Sequence, residues 1–168
     1  IAVWWIGFHD GELNLDPDPE AIAACEIRMW KAYYARQPQT IAYEMTQLLR
    51  EQFGLSYKTA ALVSLDLAGA ASTFALSGGD YERTVLPDLV RGYERLQQAT
   101  DGAWDPRAVA KAELDWWVAR RTPGKDSMEN VGRLIAHQYA LLYGATNPDI
   151  AQAGFLRARA GRLRDQSA

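Results

Sequence analysis

Two glutamates occupy positions where an amphipathic helix normally places apolar residues. Glu26 and Glu113 each fall at the centre of an apolar helical face, and a tryptophan follows each of them four residues later, Trp30 and Trp117. A buried carboxylate must be ion-paired, protonated or metal-bound, because an isolated buried charge costs too much free energy. The pair therefore indicates a polar site in an otherwise apolar interior.

Other side chains fall on or near the same predicted faces. Tyr33 extends the aromatic side of the first helix, and Arg120 lies two turns after Glu113 on almost the same line. Gln138 falls near the centre of the apolar stripe of a later helix. The predicted ligand-binding set is therefore Glu26, Trp30, Tyr33, Glu113, Trp117, Arg120 and Gln138.

Three kinds of site agree with this pattern. In the first, Arg120 or Arg121 pairs with Glu113 or Glu26, tryptophan and tyrosine donors satisfy the remaining lone pairs, and the network is structural. In the second, the same groups face a cavity with aromatic walls, as in ligand sites between the helices of a bundle.

The third kind is a carboxylate metal site or a catalytic acid–base pair. Bundle di-metal sites combine glutamates with Glu-x-x-His motifs. This chain has two histidines, His9 and His137, and neither follows a glutamate by three residues. The sequence therefore assigns no metal ligand, no cofactor and no catalytic residue, although an all-carboxylate site for a hard cation agrees with the pattern.

Composition limits the functional classes. The chain has 168 residues, which fits one domain, and its net charge of −3 argues against nucleic acid as a partner. The single cysteine, Cys25, excludes an intrachain disulfide and favours a cytoplasmic protein. The most apolar stretch, residues 60–76, is interrupted by Asp66, so we expect no membrane span.

Start and stop signals divide the chain into an acidic, turn-rich segment (residues 1–18) and a helical domain (residues 19–168). No alternating strand pattern occurs after residue 18. The predicted helices cover residues 19–36, 39–53, 57–76, 81–98, 106–121, 128–143 and 148–165, with Pro87 kinking the fourth or opening its second half. The sequence thus predicts an all-α, single-domain bundle of six to seven helices. The third helix is apolar nearly all round, and we expect it to be buried.

Four segments carry a resemblance: residues 26–34 (EIRMWKAYY), 49–54 (LREQFG), 86–89 (LPDL) and 113–117 (ELDWW). Together they resemble a group of short, uncharacterised bacterial helical proteins, over roughly residues 20–145. That group has no assigned activity, so the resemblance implies an all-helical fold and a bacterial source.

The sequence favours a domain that binds a partly apolar, polar-headed small molecule at the Glu/Arg/aromatic set. The alternative is a structural or interaction protein, a homodimer, in which these residues form a core polar network and surplus aromatic residues cover an interface. A carboxylate metal protein or an enzyme is the second alternative.

Overall fold

A computed structural model describes residues 17–166, and these residues form eight α-helices with no strand. The helices are α1 (Pro19–Tyr34), α2 (Pro38–Phe53), α3 (Tyr57–Leu76), α4 (Tyr81–Thr84), α5 (Leu86–Thr100), α6 (Pro106–Arg121), α7 (Met128–Tyr143) and α8 (Pro148–Gln166). The all-α prediction is confirmed. The acidic segment predicted for residues 1–18 lies outside the described residues, except for its last two.

Local signals explain most of the helix ends. The Asp18 carboxylate accepts hydrogen bonds from the backbone N–H groups of Glu20 and Ala21 and so caps α1. Ser56 and Ser127 cap α3 and α7 in the same way. Helix α2 ends at Gly54, which adopts a left-handed φ of 70° that glycine accepts without steric cost.

The predicted number of six to seven helices is wrong by one, because the predicted fourth helix is two helices. Helix α4 is a single turn that ends at Thr84, and α5 begins at Leu86 with Pro87 at its start. Proline lacks a backbone N–H and fits the first turn of a helix better than its interior. Pro87 therefore lies in the first turn of α5, which is the second of the two roles predicted for it, and does not kink a longer helix.

Each long helix packs against the next long helix along the chain, so α3 lies between α2 and α5, and α6 lies between α5 and α7. The main core belongs to α2, α3, α5 and α6 together with the segments that join them. Its large apolar members include Leu49, Phe53, Val63, Phe74, Leu89, Leu96, Val109 and Leu114. A smaller cluster, Ala119, Val131, Ile135 and Ala158, joins α6, α7 and α8.

The predicted burial of the third helix is wrong. Helix α3 buries Ala60, Val63 and Phe74, but Leu65 is 64% exposed and Leu76 is 89% exposed. By length and composition α3 is apolar enough to cross a membrane, although helices in the cores of soluble proteins meet the same criterion. Apolar residues all round a helix do not require burial all round, and within residues 17–166 only α2 and α5 make extensive contact with α3.

Candidate functional site

Glu113 lies at the end of a chain of hydrogen bonds inside the bundle. The Tyr93 hydroxyl of α5 donates to Oε2 of Glu113 over 2.5 Å, and Gln138 Nε2 of α7 donates to the Tyr93 oxygen over 2.7 Å. Trp116 Nε1 then donates to Gln138 Oε1 over 2.8 Å. The Trp117 side chain also forms a hydrogen bond with Glu113. Each bond in this chain donates toward the carboxylate, which is the favourable direction for a negative charge.

Glu26 reaches the same region through an arginine of the last helix. Arg157 of α8 donates to Glu26 of α1 and to the Tyr139 hydroxyl of α7, and its charge also acts on Glu113. We call Glu26, Tyr93, Glu113, Gln138, Tyr139, Arg157 and the two tryptophans Trp116 and Trp117 the interior network. It joins α1, α5, α6, α7 and α8.

Burial and charge act on the interior network in opposite directions. Burial raises the pKa of Glu113, and its contacts with Tyr93 and Arg157 lower that pKa by a smaller amount. Burial and the adjacent Glu113 raise the pKa of Tyr93 well above its usual value, so the phenol stays protonated and remains a donor. Burial lowers the pKa of Arg157, but Tyr139, Glu26 and Glu113 raise it by more.

The predicted arginine partners of the two glutamates are wrong. Arg120 donates to Asp165 near the end of α8, and Arg121 donates to the Phe74 backbone carbonyl over 2.9 Å. Arg157 takes their place. The sequence contains one signal for Arg157, since the small residues Gly154, Ala158 and Gly161 recur at helical spacing and Arg157 lies on the same side. In the structure these three small residues are the buried ones of α8. A side of small residues leaves space for one long side chain.

The structure divides the predicted residues into two groups. Glu26, Glu113, Trp117 and Gln138 belong to the interior network. Trp30, Tyr33 and Arg120 lie near the end of α8, where the Arg164 guanidinium carbon is 3.7 Å from the centre of the Trp30 ring and Tyr34 donates to Asp165. Tyr33 packs edge-on against Trp30 but is 54% exposed.

Two clefts lie elsewhere, and neither is lined by Glu26, Glu113 or Arg157. The outer cleft lies between α4, α6 and the start of α7 and has a volume of about 610 Å³. Its lining residues are Tyr81, Glu82, Lys111, Leu114, Asp115, Val118, Ala119, Gly124, Lys125, Asn130, Arg133 and Leu134. The polar cleft lies between α1 and α2 and measures about 290 Å³. Ala21, Cys25, Arg28, Tyr43, Gln47, Arg50 and Glu51 line it.

The remaining titratable candidates have structural partners or exposed positions. Asp66 pairs with Arg91 and Arg95 of α5, over 2.8 and 3.1 Å. His137 is exposed, and Cys25 is a buried free thiol. Within residues 17–166, no group of three or more His, Cys, Asp or Glu side chains could hold a metal ion.

Comparison with known proteins found no match to a family model, to a curated protein or to a solved structure.

Proposed function

We propose that the chain is a binding domain for a partly apolar small molecule with an anionic head, and that this molecule occupies the outer cleft. Ligand pockets are mostly apolar with a few placed polar groups, and their volumes are roughly 300–1,000 Å³. The outer cleft has a volume of about 610 Å³, and Leu114, Val118 and Leu134 supply apolar lining.

The observation that carries this proposal is the distribution of charge around the outer cleft. Lys111 is neutralised by Asp115 and Glu82, at 2.5 and 3.5 Å. Lys125 and Arg133 also line the cleft, and neither forms an ion pair with an acid of the described residues. Two cations beside an apolar lining favour an anionic head attached to an apolar body.

The test compares three probes by calorimetry: octanoate, octanol and acetate. We expect octanoate to bind most tightly, because only octanoate carries both the charge and the apolar chain. A Lys125→Gln/Arg133→Gln double variant should weaken octanoate binding by at least about tenfold, equivalent to about 1.4 kcal/mol.

The matched control is Lys31→Gln/Arg107→Gln, which removes the same charges from exposed positions that do not line the outer cleft. It should leave octanoate binding unchanged. Equal weakening by both double variants would show that octanoate binding depends on the net charge of the protein and not on Lys125 and Arg133. The absence of octanoate binding to the wild-type protein would refute the proposal.

A structural role for the predicted glutamates is the second candidate, and the interior network favours it. Its bonds link α8 to α1, and none of its members lines either cleft. Arg157→Ala should destabilise the fold by about 2 kcal/mol. That is less than for a fully buried pair, because the Arg157 side chain is 39% exposed.

The control for this variant is Arg159→Ala, an exposed arginine two residues further along α8. Chemical denaturation should show a change within about 0.5 kcal/mol for Arg159→Ala. Two variants of equal stability would contradict a structural role for Arg157.

The second candidate function, a structural or interaction protein, includes the formation of a homodimer. The outward side of α3 offers Leu65 and Leu76 to solvent, and Ala68 between them permits the close approach of a second helix. Light scattering of the wild-type protein and of Leu65→Lys tests this directly. A monomeric wild-type protein at high concentration would refute the homodimer.

A further inference from the structure

Three buried polar atoms on one side of α2 have no hydrogen-bond partner among residues 17–166. They are Glu44 Oε2, Gln47 Nε2 and Arg50 Nε. Residues three apart lie on the same side of a helix, about 4.5 Å apart along its axis. Buried polar groups in folded proteins are nearly always hydrogen-bonded, because an unmet bond costs about 1–3 kcal/mol. Three adjacent exceptions therefore indicate a place where a polar ligand completes the bonding.

Two of these three side chains, Gln47 and Arg50, line the polar cleft. Glu44 precedes Gln47 by one turn, and its Oε1 accepts from Nε of Arg28, another lining residue, over 2.8 Å. The Glu44 side chain is only 8% exposed, so water reaches its second carboxylate oxygen poorly.

Neighbouring contacts hold these groups in place. Arg50 Nη1 donates to Gln47 Oε1 over 3.2 Å, and the Arg50 guanidinium carbon stacks 3.5 Å from the centre of the Tyr57 ring. The Arg28 Nη2 group contacts the Cys25 sulfur at 3.3 Å. The two donors and the acceptor are therefore already oriented before any ligand binds, which lowers the entropy cost of binding.

The unpaired donors and the unpaired acceptor determine which chemical groups a ligand of the polar cleft must carry. Glu44 Oε2 needs a donor and favours a cation, whereas Gln47 Nε2 and Arg50 Nε need acceptor oxygens. Arg28, Arg50, Glu44 and Glu51 carry two charges of each sign, so the surroundings favour a ligand without net charge. A volume of about 290 Å³ restricts that ligand to a small molecule.

We propose that the polar cleft between α1 and α2 binds a small zwitterion that carries an ammonium and a carboxylate group, as a free α-amino acid does. The ammonium group donates to Glu44, and the carboxylate accepts from Gln47 and Arg50. This site is separate from the outer cleft and does not depend on the function proposed for it.

The test uses L-alanine as the probe, with acetate and methylammonium as its two halves. Isothermal titration calorimetry of the wild-type protein measures the binding of each probe. We expect the dissociation constant of L-alanine to be at least about tenfold lower than that of either half. Acetate or methylammonium binding as tightly as L-alanine would refute a zwitterion as the ligand, and no binding of any probe would refute the site.

Two variants separate binding from folding. Gln47→Met keeps the side-chain length and removes the unmet donor, so it should weaken L-alanine binding at least about tenfold while leaving the unfolding midpoint unchanged or higher. Glu44→Gln should also weaken binding, and Glu94→Gln, which changes an exposed glutamate of α5, should not. A lower midpoint for Gln47→Met with unchanged binding would overturn the proposal, because Gln47 would then be structural.

Discussion

At the scale of single residues, two opposing effects determine the pKa of Glu113. Burial favours the neutral carboxylic acid, whereas Tyr93, Arg157, Trp117 and Gln138 favour the carboxylate. The pKa of Glu113 is raised, so burial has the larger effect. The hydrogen bonds and the charge of Arg157 therefore offset only part of the free-energy cost of burying the Glu113 carboxylate.

This raised pKa has a predicted effect on stability. Between the ordinary carboxyl pKa of 4.5 and the higher folded value, the folded protein holds a proton that the unfolded chain has released. The contribution of Glu113 to stability is therefore full below pH 4.5 and decreases as the pH rises through the folded pKa. We expect Glu113→Gln to gain stability relative to the wild-type protein as the pH increases across this window.

Urea denaturation of both proteins at several pH values from acidic to neutral measures this difference. Glu94→Gln provides the control, since Glu94 is exposed and its replacement should leave the pH profile unchanged. A difference between Glu113→Gln and the wild-type protein that stays constant with pH would contradict a raised pKa for Glu113.

At the scale of helices, α7 and α8 approach each other more closely than ordinary side chains allow. A Cβ atom at Gly154 of α8 would lie 2.4 Å from the Gly132 carbonyl oxygen and 2.7 Å from the Ala136 backbone nitrogen of α7. Backbone atoms of a helix cannot relieve such a clash by changing rotamer, as a flexible side chain can. The close approach places Arg157, one turn after Gly154, near Tyr139 and Glu26.

Two glycine-to-alanine variants should therefore have opposite effects. Gly154→Ala should destabilise the fold by about 2–3 kcal/mol, because the helices must separate. Gly69→Ala in α3, where a Cβ atom meets nothing within 4 Å, should stabilise it by about 0.5–1 kcal/mol through higher helix propensity. Thermal and urea denaturation of both variants check this prediction, and a neutral Gly154→Ala would show that α7 and α8 do not pack this closely.

At the scale of the whole molecule, α1 and α8 are held in place differently from the helices of the main core. Helix α1 buries Cys25, Met29 and Ala32, and α8 buries only small residues. Their mutual contacts include the pair between Glu26 and Arg157 and the stacking of Arg164 on Trp30. The main core in α2, α3, α5 and α6 buries larger apolar side chains.

Native-state hydrogen exchange should follow this division. Regions with little buried apolar surface open at lower free energy than the core. We expect backbone amides of α1 and α8 to exchange faster than those of α5 and α6, and Arg157→Ala to accelerate exchange in α1 and α8 alone. Uniform protection across all of these helices would show that the bundle opens as one unit.

The sequence by itself determined the positions of most helices, because caps and breakers act within a few residues, although it did not separate α4 from α5. Asp18, Ser56, Gly54 and Ser127 set helix ends through bonds or backbone angles that their own neighbours supply. The sequence also identified Glu26 and Glu113 as carboxylates on apolar helical faces, because helical periodicity alone shows which residues share a face. The same signal marks Glu44, which follows Ile41 by three residues and precedes Leu48 by four.

Only the tertiary structure decided the partners of those glutamates and the exposure of α3. Arg120 and Arg157 are both arginines near apolar positions, and the side chain that meets Glu26 depends on how α8 packs against α7. Likewise, the composition of α3 predicts burial, but the positions of α2 and α5 determine which side of it is covered. The physical reason is range, since propensity and capping act over one or two turns, whereas pairing and burial depend on residues distant in the chain.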